Sequence, residues 1–191
     1  MSKTNTLNRL LRSHNTVFTF KEILLSSGET NPKLLRRRIS YYLKKGQLYP
    51  IRRGLYAKDK NYNKLEVETK IFTPSYVSFE TVLTKAGIVF QYYNQTFIAS
   101  YISREIVVDR QTYSYKRMKD AMLTNPEGIE QADNYAIASP ERAFLDVIYL
   151  SSDYHFDNVS GLNWSKVYKI LPIYGGNKRM ERIVKQYQKI A

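Results

Sequence analysis

The sequence predicts an α+β chain in two parts, a small basic module of helices closed by a β-hairpin and then a larger mixed α/β region. Three observations predict it. Residues 31–57 read as one amphipathic helix running straight into a short hairpin. The polar stretch 59–63 (DKNYN) then breaks the pattern. Beyond it, runs rich in Val, Ile, Tyr, Phe and Thr alternate with well-capped helices. The expected division is residues 1–60 and residues 61–191.

The first module can be justified element by element. A short helix is expected over residues 4–12, with Leu7, Leu10 and Leu11 inward. His14 and Asn15 break it, and Val17 and Phe18 can form a small strand. Thr19-x-x-Glu22 has capping-box spacing, in which each side chain satisfies a free backbone donor near the other. It starts a second helix with Ile23, Leu24 and Leu25 packed inward, ended by Ser26-Ser27-Gly28. In the third helix Asn31 caps the start, and Pro32 suits the first position, where its missing N–H costs nothing. Gly46 suits a left-handed exit. At about 100° per residue, Leu35, Ile39, Tyr42 and Leu43 share one face. Lys33, Arg36, Arg37, Ser40, Tyr41 and Lys44 share the other. One side is core; the other is a cationic rod about as wide as a DNA major groove. Residues 48–51 and 55–57 pair around Arg52-Arg53-Gly54, where glycine is free to take φ > 0. A helix of this kind followed by a basic hairpin describes a winged helix-turn-helix.

Charge sharpens the reading. The net charge is +13, yet residues 1–60 hold 14 Lys+Arg against 3 Asp+Glu, while residues 61–191 hold 16 against 14. Nearly all the excess lies in the first third, as in a DNA-binding module joined to a near-neutral domain. No acidic residue occurs between Asn31 and Lys58. A merely solvated helix mixes signs to gain i,i+4 pairs, and this one does not. The expected partner is double-stranded DNA. Lys33, Arg36, Arg37 and Lys44 would displace counterions from phosphates or present donors to guanine edges. Ser40 and Tyr41 can bond to phosphate or base, and Arg52 and Arg53 can reach the backbone or the adjacent minor groove. Arg38 and Lys45 lie on the flank, facing phosphate.

Other chemistries find little support. The chain has no cysteine, which excludes disulfides, thiolate zinc sites and cysteine nucleophiles. Its two histidines, His14 and His155, are far apart and lack ligand-spaced neighbours. Gly175-Gly176 reads as a helix-entry turn and not a phosphate cradle. Glu141 and Asp146 sit about 140° apart on one helix, so Glu141 is assigned to the helix dipole and Arg142 to a surface or interdomain ion pair. A nuclease built on Asp109 with Glu141 or Asp146 lacks the usual acid-x-lysine pairing. No catalytic residue, metal ligand or cofactor is expected. No apolar run approaches the ~18 residues of a membrane span, and a soluble, cytoplasmic protein is expected.

The second part starts with a helix or connecting strand over residues 65–72. Residues 74–78 (PSYVS) lead into a short helix, 79–86, ended by Gly87. Strands are expected at residues 88–90, 96–100, 105–108, 111–116 and 134–138, with a loop at 125–128. Ser139, Pro140 and Glu141 open a strong helix with Ala143, Phe144, Val147, Ile148 and Leu150 inward. Helices follow at residues 164–170 and 178–190, the last with Met180, Ile183, Val184 and Tyr187 on one face.

The phrase Gly46-Gln47-Leu48-Tyr49-Pro50-Ile51-Arg52-Arg53-Gly54-Leu55-Tyr56, then Pro74-Ser75-Tyr76-Val77-Ser78, then Ala138-Ser139-Pro140-Glu141-Arg142-Ala143-Phe144-Leu145-Asp146, resemble in that order the AbiEi antitoxins. These belong to bacterial type IV toxin–antitoxin systems linked to abortive phage infection. The resemblance covers most of residues 15–150. It implies a winged-helix repressor that binds inverted repeats in its own promoter. It also implies a C-terminal domain that counteracts a nucleotidyltransferase-like toxin without a stable complex. Carried over, Lys33, Arg36, Arg37, Lys44, Arg52 and Arg53 would bind the operator. The rival reading is a stand-alone winged-helix transcription factor whose second domain senses a ligand or dimerises.

Overall fold

A computed structural model describes residues 4–191. The chain divides into two compact units, Met1–Ile71 and Phe72–Ala191.

In the first unit the order is α1 (Thr4–Arg12), β1 (Val17–Thr19), α2 (Phe20–Ser27), α3 (Pro32–Lys44), β2 (Tyr49–Arg52), β3 (Leu55–Ala57) and α4 (Lys64–Ile71). The strands form an antiparallel sheet in the order β1-β3-β2. Its core joins Leu10, Phe18, Ile23, Leu35, Ile39, Tyr42 and Leu48. The capping box forms as its spacing requires: Thr19 Oγ1 accepts from the Glu22 N–H at 3.1 Å, and Glu22 accepts from the Thr19 N–H at 2.6 Å. Leu11 and Leu25, expected inside, are 45% and 73% exposed. Each follows a well-packed position, Leu10 or Leu24, by one residue, and that ~100° step carries it round to solvent.

Of residues 65–72, read as a helix or connecting strand, those up to Ile71 lie in helix α4, which goes with the first unit. Buried Glu66 accepts from the Thr16 N–H at 2.9 Å and the Thr16 hydroxyl at 2.7 Å. Lys70 donates to the Val17 carbonyl at 2.6 Å and lies 3.0–3.1 Å from Glu66 and Glu22. These bonds occupy backbone groups of β1 and of the residue just before it.

The second unit contains β4 (Ser75–Val77), α5 (Glu80–Lys85), β5 (Gln95–Ser100), β6 (Arg104–Val108), β7 (Gln111–Arg117), α6 (Asp120–Leu123), β8 (Ile129–Ala132) and β9 (Tyr135–Ala138). Then come α7 (Pro140–Leu150), α8 (Trp164–Ile170), a 3-10 turn (Leu171–Tyr174) and α9 (Lys178–Gln188). Six strands lie in the order β6-β7-β5-β4-β9-β8, parallel at β5/β7 and β4/β9 and antiparallel elsewhere. Helix α7 packs against α5, α8, α9 and β9 and is buried from Glu141 to Ile148. Only its last turn reaches solvent, so Leu150, expected inside, is 43% exposed.

Residues 88–90 were expected to be a strand and are not one. Their backbone groups are taken elsewhere. The Ile88 N–H donates to the Leu83 carbonyl at 2.9 Å, the Ile88 carbonyl accepts from Asp157 and Asn158, and the Phe90 N–H donates to the Asp157 carboxylate at 2.8 Å. With these groups engaged by a helix end and a loop, they are not free to join a ladder. Strand β8 and the short helix α6 were not anticipated.

Candidate nucleic-acid interface

Helix α3 owes its position to its caps and its greasy stripe. Asn31 Oδ1 accepts from the Lys33 N–H at 2.9 Å. At the far end Gly46 takes φ +65°, and the Gly46 and Gln47 N–H groups donate to the Leu43 and Tyr42 carbonyls at 3.1 and 2.9 Å. Between them Leu35, Ile39 and Tyr42 are buried and Leu43 is half-buried. The opposite face is therefore fixed in direction, and Lys33, Arg36, Arg37, Ser40, Tyr41 and Lys44 are all exposed on it.

The wing is equally defined by its chain. Strand pairing runs to Arg52↔Leu55, leaving Arg53-Gly54 as the tip with Gly54 at φ +80°. Ladder irregularity between Pro50 and Arg52 follows from proline's missing donor. Arg52 and Arg53 are exposed.

Not all of these cations are equivalent. The Arg36 guanidinium lies over the Phe20 ring at 5.1 Å, and the Lys45 ammonium lies over the Tyr41 ring at 6.0 Å. Arg38, expected to meet phosphate, is paired with Glu29 at 3.1 Å, an acid just outside the acid-free stretch. By contrast, Lys33, Arg37, Lys44, Arg52 and Arg53 have no charged side-chain partner among the described residues. Such a surface gains most when it meets a polyanion, because no internal pair has to be broken first.

A second cluster, in the other unit, was not foreseen in the sequence. Arg142, assigned there to a surface or interdomain ion pair, is fully buried within its own unit. Its Nε donates to Asp146 at 3.3 Å, Nη1 to the Glu127 carbonyl at 2.8 Å, and Nη2 to Tyr76 Oη at 2.9 Å and the Met122 carbonyl at 2.6 Å. Asp146, also fully buried, accepts from the hydroxyls of Tyr76 (3.0 Å), Ser78 (2.8 Å) and Tyr174 (2.7 Å). Burial pushes the Asp146 carboxyl up, and the Arg142 charge and the three hydroxyls pull against it. Burial also works against the Arg142 charge, but Asp146 and the two neighbouring tyrosines together more than offset it. Burial and the Asp146 charge push the Tyr76 and Tyr174 hydroxyls well above their ordinary range, so both remain donors. The only sequence signal was the i,i+4 spacing of Arg142 and Asp146.

Asp146 is thus fully engaged, and the Glu141 carboxylate accepts from the Asn163 N–H at 3.2 Å. Asp109 sits in the β6–β7 turn at φ +49°. Among the described residues, no group of three or more His, Asp or Glu is placed to hold a metal ion, and no helix is long and apolar enough to cross a membrane.

Helices α1 to α3, a small antiparallel sheet and a cationic wing give the first unit a winged helix-turn-helix fold. Residues 5–57 match the family profile described as "Transcriptional regulator, AbiEi antitoxin". No curated protein matches the chain. Among solved structures, the chain is similar to the crystal structure of the RV2827C protein from Mycobacterium tuberculosis. The two share 10% identity and a TM-score of 0.47 over 95% of this chain and 70% of that one.

Proposed function

We propose that the protein is a DNA-binding repressor and antitoxin of a type IV, abortive-infection toxin–antitoxin system, acting in the cytoplasm. Residues 1–60 read inverted repeats in the protein's own promoter. Residues 61–191 form the antitoxin-like domain, which counteracts a nucleotidyltransferase-like toxin without a stable complex. The chain acts by binding and not by catalysis.

One observation carries the reading. The acid-free face of α3 (Lys33, Arg36, Arg37, Ser40, Tyr41, Lys44) stands exposed beside a wing tipped by Arg52 and Arg53, within the stretch that matches the antitoxin-regulator family. Guanidinium groups suit bidentate contacts to guanine, and the lysines and wing suit phosphate.

The test is a footprint on the DNA upstream of the gene, followed by gel shifts with Arg36→Ala/Arg37→Ala. If both side chains meet phosphate, the log-log salt slope falls by about 1.8, at about 0.9 per contact. If either meets a base, discrimination at that position drops by roughly 1–3 kcal/mol. Wild-type binding and slope in the double variant would remove α3 from the interface.

A further inference from the structure

The second unit carries its own polyanion surface, on the outer face of α9. Residues 72–191 hold 14 Lys+Arg against 12 Asp+Glu, and residues 178–189 alone hold 5 against 1. The rest of the unit, residues 72–177, therefore holds 9 against 11. All of its positive excess sits on one helix.

The arrangement on that helix is narrow. Lys178, Arg182, Lys185 and Lys189 follow one another at i, i+4, i+7 and i+11, within about 60° of arc and along about 16 Å. All four are exposed. None has an ion-pair or hydrogen-bond partner for its side chain among the described residues. The inner face is firmly held: Met180 and Val184 are fully buried, and the Tyr187 hydroxyl donates to the Tyr154 carbonyl at 3.0 Å.

Local stability does not account for the stripe. Cations favour a helix's last turn, which accommodates Lys185 and Lys189. Lys178 and Arg179 occupy the first turn, where the macrodipole opposes them. Arg179 has a structural reason, donating to the Ile148 and Tyr149 carbonyls at 3.2 and 2.9 Å at the end of α7. Lys178 has none. A charge placed against the dipole, in line with three unpaired neighbours, is the kind of local rule-breaking that marks a functional surface.

We infer that the α9 stripe Lys178-Arg182-Lys185-Lys189 is a second duplex-DNA contact, gripping the phosphate backbone without reading sequence. The dimensions fit: ~16 Å of one strand presents about five phosphates at about 3.4 Å each along the axis. The stripe carries four flexible cations and no side chain suited to bidentate base readout beyond Arg182.

The test uses the full chain and a random-sequence 30-base-pair duplex, with binding followed by fluorescence anisotropy over a salt series. K178Q/R182Q/K185Q/K189Q is compared with K85Q/R104Q/R110Q/K119Q, which removes the same charge from other exposed positions of the unit. The α9 variant is expected to lose up to about 3.6 from the slope, and the control less than 1. Equal slopes in the two variants would reduce the effect to net charge and overturn the inference, as would a wild-type slope in the α9 variant. Unchanged duplex affinity with weakened binding to single-stranded RNA would overturn it as well. Should the quadruple variant fail to fold, K178Q/R182Q is expected to lose about 1.8. The α3 reading fails or stands separately, on the Arg36→Ala/Arg37→Ala slope.

Discussion

Replacing Arg142 tests whether the buried network holds the second unit together. Arg142→Met keeps the length of the side chain and removes the charge and four donations, at 2.6–3.3 Å, to Asp146, Tyr76 and two carbonyls. Two of those acceptors, the Met122 and Glu127 carbonyls, lose this donor, and Asp146 keeps three hydroxyls but loses its buried cation. Breaking a buried pair in this way costs about 3–5 kcal/mol. For a unit of this size that is a fall of roughly 10–20 °C in melting temperature. The assay is built in: Trp164 is the chain's only tryptophan, lies in this unit, and meets Phe144 of α7 edge-on at 6.0 Å. Its fluorescence during urea or thermal unfolding reports on this unit. Arg142→Lys should lose most of the same stability, since an ammonium cannot reproduce the planar fork. A transition within 1 kcal/mol of wild type for Arg142→Met would show that the network is incidental to folding.

Four other outcomes are expected. Because folding raises the pKa of the Tyr76 and Tyr174 hydroxyls, the stability they contribute is full below about pH 10 and is lost as pH climbs towards their folded values; Trp164 emission should show alkaline unfolding there, and Tyr174→Phe should blunt it. Gly128→Ala should be costly, by several kcal/mol in urea melts, because φ is +74° and the added carbon would lie 2.8 Å from Ile170 and 2.9 Å from Arg142. Gly28→Ala, at φ +64° with open space, should cost only about 1 kcal/mol. Leu35→Ala should destabilise the first unit by about 2–5 kcal/mol and half-buried Leu43→Ala by less; the reverse order in circular-dichroism melts would mean the faces of α3 are misassigned. Thr19→Ala should cost about 0.5–2 kcal/mol through loss of the capping box, read in the same melts.

How much could be read from the sequence follows from how local each determinant is. Helix α3, its Asn31 cap, its Gly46 exit and the exposed set Lys33, Arg36, Arg37, Ser40, Tyr41 and Lys44 depend on spacing within one element, and spacing is legible. The start of α7 was legible for the same reason, since Ser139 and Pro140 act on the next few residues. Arg142 and Asp146 were not, because their setting comes from partners some 15 to 70 positions away in sequence, and an isolated charged residue defaults to the surface. Residues 88–90 have strand-forming side chains, but strand pairing needs free backbone groups, and a distant loop had claimed theirs. Arg38 shows the limit of counting charges in a window: its acid, Glu29, stands two residues before it opens.

Helix α4 decides where the first unit could be excised. A fragment stopping at residue 60 would strip the acceptor from the Thr16 N–H, the donor from the Val17 carbonyl and the cation from Glu22, all around the first strand of the wing sheet. Cutting after Ile71 spares all three. The minimal portable unit is therefore longer than the stretch that matches the family profile, and its last helix serves as a buttress against the edge strand of the sheet.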